Sequence, residues 1–300
     1  VAVIKMTVPR LLTAMITPYD EELQVNYAKA AELAEYLANN GTEGIVVSGT
    51  TGEAPALSDE EKLHLFAAVK GEMQERIPVW AGTGSNDTRH TVELSREAEK
   101  IGVDGIMLVC PYYNKPSQEG LYQHFKQVAE AVALPVLLYN IPGRTGINLL
   151  PETVARLAEI ENIAAVKEAS GNLDQVSALI NILPDDMLIY SGDDSLTLPM
   201  MALGAQGIVS IASHLIGNQM REMIAAFLNG DVKRAANLHK QLFPIFKGLF
   251  ITSNPVPLKE ALNQLGMNVG GLRLPLADAN ANEKKFIREL LLGAKLLPEA

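Results

Sequence analysis

The chain is short of reactive sulfur, aromatic rings, positive charge and long apolar runs, and each shortage excludes something. A single cysteine, Cys110, stands in 300 residues, which rules out an internal disulfide framework and suits a reducing compartment. Aromatics make up 5% of residues while hydrophobics reach 48%. A core must then be aliphatic, of the Ala, Val, Ile and Leu that buried parallel strands prefer. Lys and Arg number 25 against 35 Asp and Glu, a net charge of −10. So acidic a chain, with no basic patch, points away from nucleic acid and anionic membrane as partners. An anionic substrate has to be held by local donors against that field. No apolar stretch reaches the ~20 residues needed to cross a bilayer. Val1 to Ile16 is apolar but broken by Lys5, Pro9 and Arg10, without a basic leader region or an evident cleavage site. The expected location is cytoplasmic. His64, His90, His124, His214 and His239 are scattered, mostly on helical faces, and lack the spacing of a zinc or iron site. No metal is expected.

What the chain does have is alternation. Short apolar runs recur roughly every 25 to 30 residues, each followed by a longer amphipathic stretch, the signature of repeated βαβ units. The pattern predicts strands over Leu11–Met15, Gly44–Ser48, Ile77–Ala81, Gly105–Val109, Pro135–Tyr139, Ile163–Lys167, Met187–Ser191 and Gly207–Ile211. Local signals place the helices between them. Ser58-Asp59-Glu60-Glu61 sets a capping hydroxyl three residues before a carboxylate. Pro151 suits a first helical turn, and Gly41, Gly102 and Gly204 stand where left-handed C-caps belong. Eight strand–helix units predict a closed (β/α)8 TIM barrel over residues 1–230, with an open doubly wound sheet as the weaker alternative. Beyond Gly230 the stretches 231–250, 257–265 and 282–292 read as helices without strands. Residues 231–300 are accordingly expected to form a C-terminal helical subdomain.

In such a barrel the chemistry sits where strands end. Lys167 closes the run Ile163-Ala164-Ala165-Val166 and opens onto Glu168-Ala169-Ser170-Gly171. An amine held there out of water loses proton affinity and becomes a nucleophile toward carbonyl carbon. The bland alternative is a lysine whose stem lies on apolar surface and whose ammonium reaches water. After the second strand, Gly49-Thr50-Thr51-Gly52-Glu53 sets two hydroxyls in a tight turn whose N–H groups can cradle an anion. After the third, Gly82-Thr83-Gly84-Ser85-Asn86-Asp87 begins like a dinucleotide fingerprint, but Asp87 replaces the third glycine and excludes it. The fourth is followed by Tyr112-Tyr113 framed by Pro111 and Pro116, suited either to function or to packing. The fifth ends in Tyr139, a possible proton donor, with the guanidinium fork of Arg144 just beyond. Singly each group has an ordinary structural explanation. Jointly they supply a Schiff-base nucleophile, proton relays and carboxylate anchors at one mouth.

That constellation resembles a known family. Gly49-Thr50-Thr51-Gly52-Glu53, Tyr112-Tyr113-Asn114-Lys115-Pro116, Tyr139-Asn140-Ile141-Pro142-Gly143-Arg144-Thr145-Gly146, Val166-Lys167-Glu168-Ala169 and Ser191-Gly192-Asp193-Asp194 together resemble the dihydrodipicolinate synthase family. The likeness runs from about Thr13 into the C-terminal helices. The lysine and tyrosine positions are shared across the wider pyruvate-dependent class I aldolases. Thr50-Thr51 and Arg144 resemble the synthases rather than N-acetylneuraminate lyases, which show Ser-Thr at the pair and lack the arginine.

The resemblance implies a mechanism and a set of roles. Lys167 would form an imine with pyruvate and then an enamine, so no cofactor, neither pyridoxal phosphate nor metal, is needed. Thr50 and Thr51 would hold the pyruvate carboxylate. Thr51, Tyr139 and Tyr113 resemble a proton-relay triad in which Tyr113 comes from a neighbouring subunit, which implies a homo-oligomer, dimer or tetramer. Gly192 and Val209 resemble backbone contacts around the nucleophile. Arg144 would anchor the carboxylate of L-aspartate 4-semialdehyde, and cyclisation would give 4-hydroxy-tetrahydrodipicolinate for diaminopimelate and lysine synthesis. An aldolase for sialic or 2-keto-3-deoxy sugar acids would keep the imine but need hydroxyl-binding groups in place of Arg144. A keto-acid-binding barrel without catalysis would not need Lys167 and the tyrosines together. The family's lysine-binding cleft is matched at Asn86 and Tyr112, while Asp59 and Lys62 stand for its histidines and His90 for its glutamate. Feedback inhibition by lysine is therefore not expected.

Overall fold

Eight parallel strands close on themselves in chain order: β1 (Leu11–Ala14), β2 (Gly44–Val47), β3 (Val79–Gly82), β4 (Gly105–Val109), β5 (Val136–Asn140), β6 (Ile163–Glu168), β7 (Leu188–Ser191) and β8 (Gly207–Ser210). The computed structural model describes residues 9–298; the part of the N-terminal reading that falls on residues 1–8 lies outside the described residues. Leu12 of β1 pairs with Val209 of β8, so the sheet has no open edge and the expected barrel is the observed one. The strands are short and buried along both faces, as in Gly44-Ile45-Val46-Val47. β-Branched side chains pack inside the barrel on one face and beneath helices on the other. The lone tryptophan shows how tight this is: a Cβ on Gly105 would come within 2.5 Å of the Trp80 ring.

The helices are α1 (Tyr27–Asn39), α2 (Asp59–Met73), α3 (Thr88–Ile101), α4 (Gln118–Ala129), α5 (Pro142–Thr145), α6 (Pro151–Leu157), α7 (Leu173–Ile182), α8 (Thr197–Leu203), α9 (Ser213–Leu228), α10 (Val232–Gly248), α11 (Val256–Gln264) and α12 (Ala281–Gly293). The start of α2 is a full capping box, with Ser58 N–H donating to the Glu61 carboxylate at 2.8 Å and Ser58 Oγ accepting from Glu61 N–H. Gly102 ends α3 at φ +88°. β3 and β5 begin later than expected, at Val79 and Val136, because Pro78 and Pro135 have no N–H for the ladder. The stretch around Arg144, given no element by the sequence reading, closes into the one-turn α5, begun by Pro142 and ended by Gly146 at φ +74°. After β8 the described residues hold only helices, with α10 packed along α9 and α11 against α12.

Candidate active site

The carboxyl ends of β5 and β6 are in register, with Tyr139 opposite Lys167. Paired residues of neighbouring strands project to the same face, and the Lys167 Nζ lies 4.2 Å from the Tyr139 ring centroid. Both side chains are buried, Lys167 being 4% exposed. Burial pushes the Lys167 amine down to about 7; Asp194 pulls against that shift and Arg144 adds to it. Burial pushes the Tyr139 phenol up to about 12, against a hydrogen bond from Thr50 and the nearby Arg144 charge. Around neutrality the site thus offers an amine with a substantial free-base fraction, about half at pH 7, beside a phenol that keeps its proton. A Cβ on Gly192 would sit 3.1 Å from Lys167 Cε and 2.6 Å from Ala169 Cβ, so this glycine makes room for the lysine. Its N–H donates to Glu168 O at 2.8 Å. Val209 lies buried in β8.

The turn after β2 is held from below. Thr50 is half-buried and Thr51 buried, and Thr51 Oγ1 accepts from Asn254 Nδ2 at 3.0 Å. Two residues on, Glu53 takes a left-handed backbone at φ +55°. Its carboxylate meets Lys259 Nζ of α11 at 2.6 Å, with side chains 1% and 2% exposed. Lys259 Nζ also donates to Gly271 O at 2.7 Å and lies 3.9 Å from the Tyr19 ring centroid. Burial holds this ammonium down at about 8 in spite of Glu53's charge. Removal from water thus outweighs the attraction, as buried pairs commonly show.

Arg144 is exposed and donates from Nη2 to Asn254 O at 3.3 Å. A cavity of about 500 Å³ is lined by Thr50, Tyr139, Arg144, Tyr112, Asn86 and His90 among others. Lys167, Thr51, Gly192 and Val209 lie outside its lining. Tyr113 stands apart from the rest: it is 90% exposed, at φ +74°. His90 and Lys62 of the cavity lining both pair with Asp59, His90 Nε2 at 2.7 Å and Lys62 Nζ at 3.2 Å. Partial burial opposes the Asp59 charge, but these two hydrogen bonds outweigh it and hold the carboxyl below its usual range.

Several groups at the mouth were not singled out by the sequence. Asn254 touches both Thr51 and Arg144, and its only local signal is an Asn-Pro step. Asp194, readable as a helix cap, is fully buried behind the turn after β8. It accepts from Ser210 Oγ and from the N–H groups of Ile211 and Ala212, and burial raises its carboxyl to about 6. Glu168 points to the opposite face of β6 from Lys167. There it accepts from Asn140 Nδ2 and Gln175 Nε2 at 2.9 Å each, tying β6 to β5 and α7. Among the described residues no group of three His, Cys, Asp or Glu side chains could hold a metal ion, and no helix is long and apolar enough to cross a membrane.

Known proteins resemble the chain over nearly its full length. A 4-hydroxy-tetrahydrodipicolinate synthase of Desulforamulus reducens is 59% identical over 289 residues, covering 96% of this chain and 98% of that protein. A DHDPS structure from Cyanidioschyzon merolae with lysine bound superposes at TM-score 0.95 with 44% identity, covering 96% of this chain and 98% of that one. A chloride-inhibited dihydrodipicolinate synthase of Acinetobacter baumannii, complexed with pyruvate, superposes at 0.93 with 40% identity over 96% and 99% of the two chains. Residues 7–293 match the model of one family. The chain belongs to the dihydrodipicolinate synthetase family.

Proposed function

We propose that this chain is a Schiff-base lyase, a 4-hydroxy-tetrahydrodipicolinate synthase, that condenses pyruvate with L-aspartate 4-semialdehyde. The observation that carries the reading is the buried Lys167 amine, lowered to about 7, beside the protonated Tyr139. Lys167 Nζ attacks the pyruvate ketone, and loss of water leaves an imine. Loss of a methyl proton gives the enamine, whose carbon adds to the semialdehyde's aldehyde. The amino group of the second substrate then attacks the imine carbon, closing the ring and releasing Lys167. Tyr139, Thr51 and Tyr113 move the protons, Thr50 and Thr51 hold the keto-acid carboxylate, and Gly192 and Val209 border the nucleophile. The exposed Tyr113 suits a role completed in the mouth of a neighbouring copy, so the working form is a homo-oligomer, dimer or tetramer. Residues 231–300 serve as the helical subdomain of this barrel, and the enzyme works in the cytoplasm. Borohydride trapping of pyruvate tests the imine, and turnover of aspartate semialdehyde separates a synthase from a sugar-acid lyase.

Arg144 is the residue that specifies the second substrate. Arg144→Ala leaves pyruvate trapping nearly intact and lowers kcat/KM for condensation. The side chain is exposed, so the loss falls in the ordinary range for a hydrogen bond to a charged group, about 1.5–3 kcal/mol. Equal loss of trapping and condensation would place Arg144 in the pyruvate site or make it structural.

Lysine does not inhibit this enzyme by binding beside His90 and Lys62 in the cavity lining. A lysine ammonium needs a free carboxylate; Asp59 already pairs with His90 and Lys62, and Asp87, in the cavity lining, caps α3 by accepting from His90 N–H at 2.7 Å. Lys62 adds a like charge there. Initial rates with both substrates near KM are expected to stay level as lysine rises into the millimolar range. Inhibition that disappears in Tyr112→Ala would show that the cleft accepts lysine after all.

A further inference from the structure

The segment between α10 and α11 contributes no strand, yet its Asn254 is buried at the barrel mouth, 6% exposed. It makes two contacts to residues far away in the chain. Its Nδ2 donates to Thr51 Oγ1, 203 residues distant, at 3.0 Å. Its backbone carbonyl accepts from Arg144 Nη2, 110 residues distant, at 3.3 Å. The remaining side-chain atom, Oδ1, is buried without a protein partner.

The direction of the amide matters for chemistry. Turned over, it would leave both amide N–H groups unpartnered, where the arrangement seen leaves one N–H and the oxygen. The turned amide would also take the Thr51 hydroxyl proton for itself. As it stands, Thr51 Oγ1 gives a lone pair to Asn254 and keeps its proton for another acceptor. A hydroxyl held as a donor is what a bound carboxylate requires. The segment is pinned a second time at the same turn, since Lys259 reaches Glu53 at 2.6 Å. Asn254 is therefore placed by more than its own two hydrogen bonds.

We propose that Asn254 is a positioning residue that registers the two halves of the site. Its side-chain amide sets the Thr51 hydroxyl as a donor to the keto-acid carboxylate, and its carbonyl steadies the Arg144 guanidinium on the aldehyde side. This rests on the roles given above to Thr51 and Arg144. The C-terminal helical segment is on this view part of the catalytic site rather than an appendage to the barrel.

A double-mutant cycle of Asn254→Ala and Thr51→Val in the full chain tests it. Borohydride trapping reads pyruvate saturation, and steady-state turnover reads the semialdehyde. Asn254→Ala is expected to weaken pyruvate saturation roughly three- to tenfold, the loss of one neutral hydrogen bond. Its backbone carbonyl remains, so KM for the semialdehyde should move less than about twofold. In the Thr51→Val background the second substitution should add almost nothing, because its partner is already gone. If Asn254→Ala does not fold, Asn254→Asp takes its place in the cycle, since a carboxylate cannot donate to Thr51. Additive losses, or equal losses for both substrates, overturn the proposal. No trapped adduct in the unsubstituted chain overturns the condensation reading and this proposal with it; an adduct with an additive cycle overturns this proposal alone.

Discussion

Lys167→Ala abolishes the borohydride-trapped pyruvate adduct and, with it, condensation. In the unsubstituted chain, reduction in the presence of pyruvate adds one pyruvyl group that peptide mass places on Lys167. Loss of a covalent nucleophile lowers turnover on the order of 10⁴–10⁶-fold in enzymes where it has been removed. Lys259, the other deeply buried lysine, is held by Glu53 and Gly271. The pH dependence is a second readout. With the Lys167 amine lowered to about 7, the free base grows as pH rises through 7 and is nearly complete above 8. Imine formation should rise over that window and then level. A rate still climbing beyond pH 9 would mean an ordinary, hydrated lysine. An adduct persisting in Lys167→Ala would mean that another amine reacts.

Lys259→Met is expected to be among the most destabilising single substitutions in this protein although it touches no substrate. Methionine has similar length but leaves the Glu53 carboxylate buried without its counter-charge. Breaking a buried pair from one side costs about 3–5 kcal/mol. Replacing both partners removes the uncompensated charge, so Lys259→Met with Glu53→Gln should recover much of the loss. Thermal midpoints at one fixed protein concentration give the comparison. A double variant no more stable than Lys259→Met would mean that Lys259 acts through its contacts with Tyr19 and Gly271 rather than through Glu53.

The β-strands and most of the helices were legible in the sequence because the information that specifies them is local. An aliphatic run of four or five residues between two amphipathic stretches admits few conformations, and eight such units in succession favour a closed barrel. Capping boxes and C-cap glycines are local too, so Ser58 and Gly102 could be read directly. Boundaries moved where proline withheld a ladder donor, as at Pro78 and Pro135, and a turn of helix that the sequence reading did not place formed between Pro142 and Gly146. Lys167 and Tyr139 could be singled out because each ends a strand run, and strand ends share one rim.

The tertiary structure alone decided what surrounds those side chains. Asn254, 203 residues from Thr51, carries no periodicity that would announce the contact. Lys259 reads from sequence as one more charge on a helix, yet it is sealed against Glu53 and Tyr19. Asp59, which could have offered a carboxylate to a cationic ligand, is committed to His90 and Lys62. The acidity of Lys167 belongs to the same class of fact. Chain order places an amine at a strand end, but its proton affinity depends on everything packed around it, because the cost of a charge is set by the water it has lost.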